Sequence, residues 1–141
     1  MHFDTPVLID KTIEWFLRNQ TKNYRVDMTL CDELGGICAF CGITDINHNI
    51  NKGETYIFTS PDAQRSGLGT EALRQLCSYG FLELGLNKVY AWTNEDNVAS
   101  IRLHQKVGYQ MQGRFREEYR TSSGELKDRI YLELLRKDWK P

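Results

Sequence analysis

At Pro61 the apolar residues change from alternation with polar residues to helical spacing, and this change limits the possible folds most. Before Pro61, three stretches alternate apolar and polar residues, and turns rich in Gly and Asn separate them. Such alternation is typical of half-buried strands in an antiparallel meander. After Pro61, apolar residues recur at helical spacing over 73–84, which indicates an amphipathic helix.

The whole pattern gives an order of elements and therefore a sheet topology. The predicted elements are a helix over 6–19, strands over 24–31, 37–46 and 54–60, a helix over 73–84, a strand over 88–93, a helix that Asn94 or Asn97 caps and that ends at Val107, and strands over 109–120 and 126–135. A strand–helix–strand unit in the middle requires a right-handed crossover between two parallel strands. We therefore predict an α/β fold of the α+β type, with one mixed sheet and helices on its faces.

Length and composition are those of a globular protein with a single domain. The 141 residues form one predicted domain, 1–141, in which 40% are hydrophobic and 26% charged. A net charge of -1 gives no reason to expect nucleic acid or a membrane as partner, and no apolar run has the length of a membrane helix. Because no secretory signal is visible, the four cysteines are predicted to be reduced thiols in the cytoplasm.

Cys38 and Cys41 have the spacing of some zinc and redox sites, but they lie on a predicted strand. Residues three apart on a strand point to opposite faces, so these two thiols do not chelate one ion together. The remaining Cys and His residues are scattered along the chain. We therefore predict no metal site.

The segment between the third strand and the next helix, Gln64-Arg65-Ser66-Gly67-Leu68-Gly69-Thr70, is typical of a phosphate-binding turn. Glycines allow close approach of the backbone, a helix N-terminus attracts an anion, and Arg65 adds a positive charge. The Gly-Lys-Ser/Thr of a P-loop is missing, which argues against nucleotide hydrolysis. An ordinary strand–turn–helix junction also favours glycine, so the segment alone leaves both interpretations open.

A second polar group, formed by Asn97, Ser100 and His104, falls on one face of the following helix. At about 100° per residue the three side chains lie within a roughly 60° arc. Such a stripe is compatible with a ligand site and equally with the solvated face of an amphipathic helix.

Together these segments resemble the GNAT acetyltransferase superfamily. The resemblance rests on Gln64-x-x-Gly67-x-Gly69 at the start of a helix, on the segment 94–108 followed by Tyr109, and on the terminal hairpin, all in family order and spacing. It spans about residues 30–139 and is nearest to the RimJ/RimL-like ribosomal-protein N-terminal acetyltransferases. It implies a GNAT-like acyl-CoA N-acyltransferase fold, acetyl-CoA as donor, and a primary amine, on a protein N-terminus or a small molecule, as acceptor.

The resemblance also implies a donor site. In such proteins two parallel strands diverge, and the pantetheine arm of the coenzyme enters between them. The backbone of Ile57, Phe58 and Thr59 would bond the pantetheine amides. Asn97 would bond the pantetheine arm and Ser100 would line the thioester end. The pyrophosphate would be held by the backbone N–H groups of the loop, those of Arg65, Ser66, Gly67, Leu68, Gly69 and Thr70.

The chemistry of acetyl transfer then suggests catalytic roles. An alkyl ammonium has a pKa near ~10, so it must lose a proton before it attacks a thioester. Glu54 lies where this branch often has a glutamate, and it is the candidate general base. A free strand N–H near Phe58 is the candidate donor to the oxyanion. His104 stands where many family members have a tyrosine, and it is the candidate acid for the departing thiolate.

The sequence departs from the family pattern at three points. The strand and helix that usually precede the position of Pro6 are missing, Tyr56 replaces a common glycine, and His104 replaces the tyrosine. We expect Tyr56 to narrow the acceptor side and the uncovered sheet edge to allow a homodimer. The predicted function is N-acetyl transfer by direct attack. The alternative is a CoA-binding or dimerisation module with weak or no catalysis.

Overall fold

The computed structural model describes residues 23–61 and 66–141, and these form one mixed sheet with two helices. The strands are β1 (Val26–Cys31), β2 (Ile37–Asn47), β3 (Lys52–Thr59), β4 (Lys88–Asn94), β5 (Gln110–Arg120) and β6 (Leu126–Leu135), the helices are α1 (Leu68–Leu82) and α2 (Val98–Val107), and a 3-10 turn covers Arg136–Asp138. Each predicted element that falls in these ranges is confirmed. The helix predicted over 6–19 lies outside the described residues.

The six strands are ordered β1-β2-β3-β4-β6-β5. β3 and β4 are parallel, and each other neighbouring pair is antiparallel. The predicted mixed sheet with a crossover helix, α1, is therefore confirmed. β3 begins two residues earlier than predicted, at Lys52. This difference is at an element end, where local patterns carry the least information. α1 begins at Leu68, within the glycine-rich segment predicted to open it and ahead of Leu73, its first predicted apolar position.

Both helices pack on one face of the sheet, which we call the helix face. Leu73, Leu76, Cys77, Gly80 and Phe81 of α1 are buried at helical spacing. They meet the strand residues that point the same way, which are Ile43, Val89, Ala91, Ile130, Leu132 and Leu134. Burying an aliphatic side chain of this size contributes about 1.5–3 kcal/mol, so this layer holds the sheet to α1.

The other face carries aromatic and charged side chains, and we call it the aromatic face. Trp92 packs against Tyr131 and Phe115 with ring centroids 4.8 and 4.9 Å apart, and Tyr90 lies 5.6 Å from Tyr131. Strand residues alternate between the two faces, so each strand contributes to both layers. The result is an apolar layer under the helices and a half-exposed aromatic layer opposite.

The four cysteines, Cys31, Cys38, Cys41 and Cys77, are free thiols. Cys38 and Cys41 lie on β2, and only Cys41 is buried in the core cluster, as expected for residues three apart on a strand. Within 23–61 and 66–141, no three His, Cys, Asp or Glu side chains are grouped as metal ligands would be. None of the helices in that part of the chain has the length and apolar character needed to cross a membrane.

Candidate active site

β3 and β4 diverge soon after they meet. Their parallel ladder ends at the pair Glu54–Tyr90, although β3 continues to Thr59 and β4 to Asn94. Residues 55–59 therefore leave an edge that β4 does not pair. We call the space between this edge and the end of β4 the cleft. The divergence of the two parallel strands agrees with the expectation from the resemblance.

The phase of the β2–β3 ladder decides which backbone groups face the cleft. The Ser60 N–H donates to the Cys38 carbonyl at 2.9 Å, and the pairing continues in the same register to Phe58. Antiparallel strands bond through every second residue, so the Phe58 backbone also points to β2. The backbone groups of Ile57 and Thr59 point into the cleft. Of the three residues expected to bond the pantetheine amides, Phe58 therefore directs its backbone groups away from the cleft, whereas Ile57 and Thr59 direct theirs into it. The strand N–H groups near Phe58 that face the cleft are those of Ile57 and Thr59.

The N-terminus of α1 meets the open end of the cleft. Its first helical bond runs from the Glu71 N–H to the Gly67 carbonyl at 3.2 Å, so the N–H groups of Leu68, Gly69 and Thr70 have no acceptor within the helix. Gly67 caps the helix at φ 78° and offers no capping side chain. These orphan donors and the helix dipole favour an anion here.

The two glycines of the loop serve different purposes. A methyl group added to Gly67 would meet no atom of the described residues within 4 Å, so this glycine is required by its left-handed backbone. A methyl group on Gly69 would lie 2.9 Å from Leu103 Cδ1 and 3.1 Å from Thr59 Cγ2. Gly69 is therefore a packing glycine that brings α1 close to α2 and β3. Ser66 is exposed just before Gly67, while Arg65 and Gln64 lie outside the described residues.

α2 brings the predicted polar stripe to the same place, since Leu103 touches α1 at Gly69. Asn97 is the N-cap, and its Oδ1 accepts from the Ser100 N–H at 3.1 Å. This bond occupies the carbonyl of the side chain and leaves its NH2 group as a donor. The exposed cap and the half-buried Ser100 thus both lie at the first turn of α2.

His104 is buried, with 4% of its surface exposed. Its Nδ1–H donates to the Ser100 carbonyl at 2.8 Å, and its ring meets the Tyr109 ring edge-on with centroids 4.9 Å apart. Its Nε2 has no partner among the described residues. Burial lowers the pKa of this imidazole. The neutral ring then has no proton on Nε2, so the arrangement does not support its predicted role as an acid.

The loop ahead of α2 is tied to the terminal hairpin. Arg114 of β5 bonds Asp128 Oδ2 at 2.6 Å and Glu95 Oε2 at 2.7 Å, and the Tyr119 hydroxyl donates to Asp96 at 3.2 Å. Glu95 and Asp96 directly precede Asn97 in the chain. The charged hairpin therefore positions the N-cap of α2, a role that the alternation of charges in the sequence does not reveal.

A buried chain of polar groups closes the inner end of the cleft. The Thr55 hydroxyl donates to the Tyr90 carbonyl at 3.3 Å and accepts from the Tyr109 hydroxyl at 2.7 Å. Cys77 Sγ lies 3.4 Å from the same hydroxyl and donates to it. With these donor directions, each thiol or hydroxyl proton has one acceptor, so no donor in the chain is left without a hydrogen bond. Sequence reasoning missed this chain, because its members are 54 and 32 residues apart.

Glu54 lies on the aromatic face at the point where the ladder ends. It is half-buried, and burial raises the pKa of its carboxyl, as does the nearby Asp45 carboxylate. The Tyr90 ring lies beside it, and burial raises the pKa of that phenol to about 12. A polar depression of about 500 Å³ opens next to Asp45, and it is lined by Tyr24, Asp45, Ile46, Asn47, His48 and Asn49.

Tyr56 does not narrow the acceptor side as expected. Its ring crosses β2 above Gly42, and its hydroxyl donates to the Asp27 carboxylate of β1. Arg25 binds the same carboxylate through two bonds of 2.8 and 2.9 Å. The ring therefore points away from β4, and the substitution of a common glycine by Tyr56 fastens β1 to β3 instead of filling the cleft.

Comparison with known proteins places this geometry in a family. Residues 2–110 match the family model described as acetyltransferase (GNAT) domain. Spermidine N(1)-acetyltransferase of Escherichia coli (strain K12) is 32% identical over 77 residues, which are 55% of this chain and 41% of that protein. The uncharacterized N-acetyltransferase p20 of Bacillus licheniformis is 28% identical over 123 residues, 87% of this chain and 67% of that protein.

The solved structures that are similar include spermidine N-acetyltransferase from Vibrio cholerae in complex with CoA and spermine. Its TM-score is 0.87 at 20% identity, and the match covers 94% of this chain and 78% of that one. This similarity shows a common fold. Since the family model spans most of the sequence, the chain belongs to the GNAT acetyltransferase domain family.

Proposed function

We propose that the chain is an acetyl-CoA-dependent N-acetyltransferase that acetylates a primary amine. The observation that carries this proposal is the early end of the β3–β4 ladder at Glu54–Tyr90. It leaves an unpaired strand edge that leads from the N-terminus of α1 to a carboxylate. An extended amide-containing arm pairs with such an edge, and a phosphate binds such a helix start.

The residues present fit the donor along its whole length. The N–H groups of Leu68, Gly69 and Thr70 would hold the pyrophosphate. The backbone of Ile57 and Thr59 would bond the pantetheine amides, while the Asn97 NH2 group and Ser100 would bind at the first turn of α2. Bound acetyl-CoA would supply an activated thioester.

Glu54 is the group best placed to accept a proton from the acceptor. Its carboxyl lies on the aromatic face at the inner end of the cleft, and its raised pKa brings its basicity nearer to neutral pH. The Ile57 or Thr59 N–H, which the ladder phase directs into the cleft, would stabilise the oxyanion. Neutral His104 would fix the start of α2 through Ser100 and would not protonate the thiolate.

We further propose a small cationic amine as the acceptor. The entrance beside Glu54 carries the Asp45 carboxylate and the Tyr90 ring, and both attract an ammonium group. Spermidine acetyltransferases are among the similar proteins, which supports a polyamine. A putative ribosomal N-acetyltransferase, YdaF of Bacillus subtilis, is 26% identical over 105 residues, so a RimJ/RimL-like protein N-terminus is the second candidate. Cytoplasmic location and a homodimer stay predictions.

The donor site can be tested at Gly67 by isothermal calorimetry with CoA. Gly67→Glu places a carboxylate at the proposed pyrophosphate site, and we expect it to abolish CoA binding. Gly67→Ala is the matched control, since it imposes the same left-handed strain, about 1–2 kcal/mol, without the charge. Equal CoA affinity of the glutamate variant and the wild type would contradict the site.

The activity is tested separately by thiol release from acetyl-CoA with a panel of amines. We expect turnover with polyamines and weaker turnover with a peptide bearing a free N-terminus. CoA binding without turnover on any amine would instead support the binding module. Turnover on the peptide alone would replace the polyamine by a protein acceptor.

A further inference from the structure

Lys52 lies beside the proposed base on the aromatic face. Lys52 and Glu54 are two residues apart on β3, so their side chains leave the same face about 7 Å apart along the strand. The Lys52 ammonium lies over the Tyr90 ring, 5.2 Å from its centroid. Tyr90 is the β4 partner of Glu54 in the last pair of the ladder. A primary amine of the chain itself therefore lies against the ring of the residue at which the ladder ends.

Lys88 offers a contrast at the neighbouring strand. It is the register partner of Lys52, and it also lies over a ring, that of Tyr131, at 5.4 Å. Its Nζ binds Glu133 Oε2 at 2.6 Å, and this bond raises the pKa of the ammonium. In 23–61 and 66–141, no carboxylate forms such an ion pair with Lys52. Of these two amines, Lys52 is the one that no ion pair within the described residues holds in place.

We propose that Lys52 is an internal acceptor, whose Nζ takes the acetyl group of acetyl-CoA bound in the same chain. This inference rests on the proposed function, because it needs the thioester in the cleft. Tethering on the strand that carries Glu54 replaces diffusion of an acceptor, and such proximity raises a local rate strongly. Lys52 would thus be an acetylation site on the aromatic face of the sheet.

The chemistry balances with acetyl-CoA as the sole co-reactant. The Lys52 ammonium gives one proton to the Glu54 carboxylate, which passes it to water. The Nζ lone pair forms a bond to the thioester carbon, and the carbon–sulfur bond breaks. The second nitrogen proton goes to the CoA thiolate. The products are the amide of Lys52, the CoA thiol and one released proton.

The modification has a consequence for the acceptor entrance. The amide carries no charge, so the cation that lies over Tyr90 is lost. The side chain then no longer competes with an external ammonium for Tyr90 and Glu54. We expect the acetylated protein to have a lower KM for a cationic amine, with little change in kcat.

The test is peptide mass spectrometry after incubation with acetyl-CoA and no added amine. We expect one acetyl group at Lys52, formed on the order of tenfold faster than at Lys88. Formation should be first order with a rate constant that does not depend on protein concentration. Excess free CoA and Glu54→Gln should both suppress it. Lys52→Arg removes the site, while Lys88→Arg is the matched control and leaves the labelling of Lys52 intact.

The other outcomes overturn the inference in distinguishable ways. Equal labelling of Lys88 and other lysines, insensitive to CoA, would show plain chemical acetylation. A rate constant proportional to protein concentration would show transfer between molecules. Turnover of external amines without a label on Lys52 would remove the internal acceptor and leave the proposed function standing. Absence of both CoA binding and turnover would remove both.

Discussion

The polar groups on the two faces of the sheet differ in burial and in hydrogen bonding. On the helix face, the Tyr109 hydroxyl forms hydrogen bonds with both the Thr55 hydroxyl and the Cys77 thiol. All three side chains are buried. On the aromatic face, Glu54 and Tyr90 are half-exposed, and they lie at the inner end of the cleft, where the β3–β4 ladder stops. Two consecutive residues of the same strand, Glu54 and Thr55, therefore lie in these two different environments.

The difference shows how one strand separates stability from chemistry. A buried polar group must find its partner inside the protein, because an unsatisfied one costs about 1–3 kcal/mol. A group that exchanges a proton with a substrate must keep access to it. We therefore expect substitutions on the aromatic face at the cleft to change activity, and substitutions on the helix face to change stability.

Glu54→Gln is expected to have the largest effect. Loss of the base should lower kcat about 10²-fold or more, with little change in thermal stability. The carboxyl pKa is raised, and only the ionised form accepts a proton, so the wild-type rate should fall as the pH drops through that raised pKa. The glutamine variant should lack this acidic limb in a pH–kcat profile.

A control for this variant is Glu83→Gln, which removes an exposed carboxylate at the C-terminus of α1, on the face of the sheet opposite to Glu54. We expect it to retain its activity. An acidic limb that persists in Glu54→Gln would show that another group is the base.

Gly42→Ala tests the aromatic face away from the cleft. The added methyl group would lie 2.6 Å from Tyr56 Cε1 and would collide with the Val26 carbonyl oxygen, so it displaces the ring from Asp27. We expect a loss of about 1–3 kcal/mol in the free energy of unfolding, measured by urea denaturation. Gly113→Ala is the control, because its methyl group would meet Tyr131 Cβ at an ordinary 3.7 Å.

Tyr109→Phe tests the helix face. Removing the hydroxyl leaves the Thr55 oxygen and the Cys77 thiol without this partner, and we expect a loss of about 1–2 kcal/mol by urea denaturation. The KM for acetyl-CoA should change less than the stability. Tyr119→Phe, which removes an exposed bond to Asp96, is the control. A loss of activity without a loss of stability in Tyr109→Phe would contradict the separation of the faces.

His104→Leu should have the smallest effect. Burial lowers the folded-state pKa of His104, so the unfolded chain binds a proton first as the pH falls below about 6.5, and stability is lost there. In the leucine variant, the fall in the free energy of unfolding below about pH 6.5 should be smaller by about 1 kcal/mol or less. Its kcat should keep the wild-type profile on the basic side. Loss of a basic limb in the variant would restore His104 as the acid.

Much of the fold could be predicted from local patterns. Alternation located the strands, helical spacing located α1, and Asn97 and Gly108 end α2 as cap residues. Gly108 takes φ 115°, which few other residues adopt without strain. These features depend on neighbours within a few residues, so a single sequence reveals them. The glycine-rich start of α1 was predictable for the same reason, since a helix start is local.

The rest of the candidate site depends on register and packing. Whether Phe58 or Ile57 faces the cleft follows from the phase of a ladder with β2. The direction of the Tyr56 ring follows from Asp27 on a strand two positions away in the sheet. Neither the phase of a ladder nor a contact between distant strands produces a recognisable pattern in the amino-acid sequence. Sequence reasoning therefore predicted the segment 57–59 but not which of its backbone groups face the cleft.

By itself the sequence determined the elements, their order and the glycine-rich start of α1, because periodicity and backbone preference are properties of short segments. The tertiary structure alone decided where β3 and β4 separate, which amides face the cleft, and that His104 is buried, which lowers its pKa. The physical reason is that burial and hydrogen-bond partners arise between residues distant in the chain, and these two factors set the charge and the orientation of each group in the site.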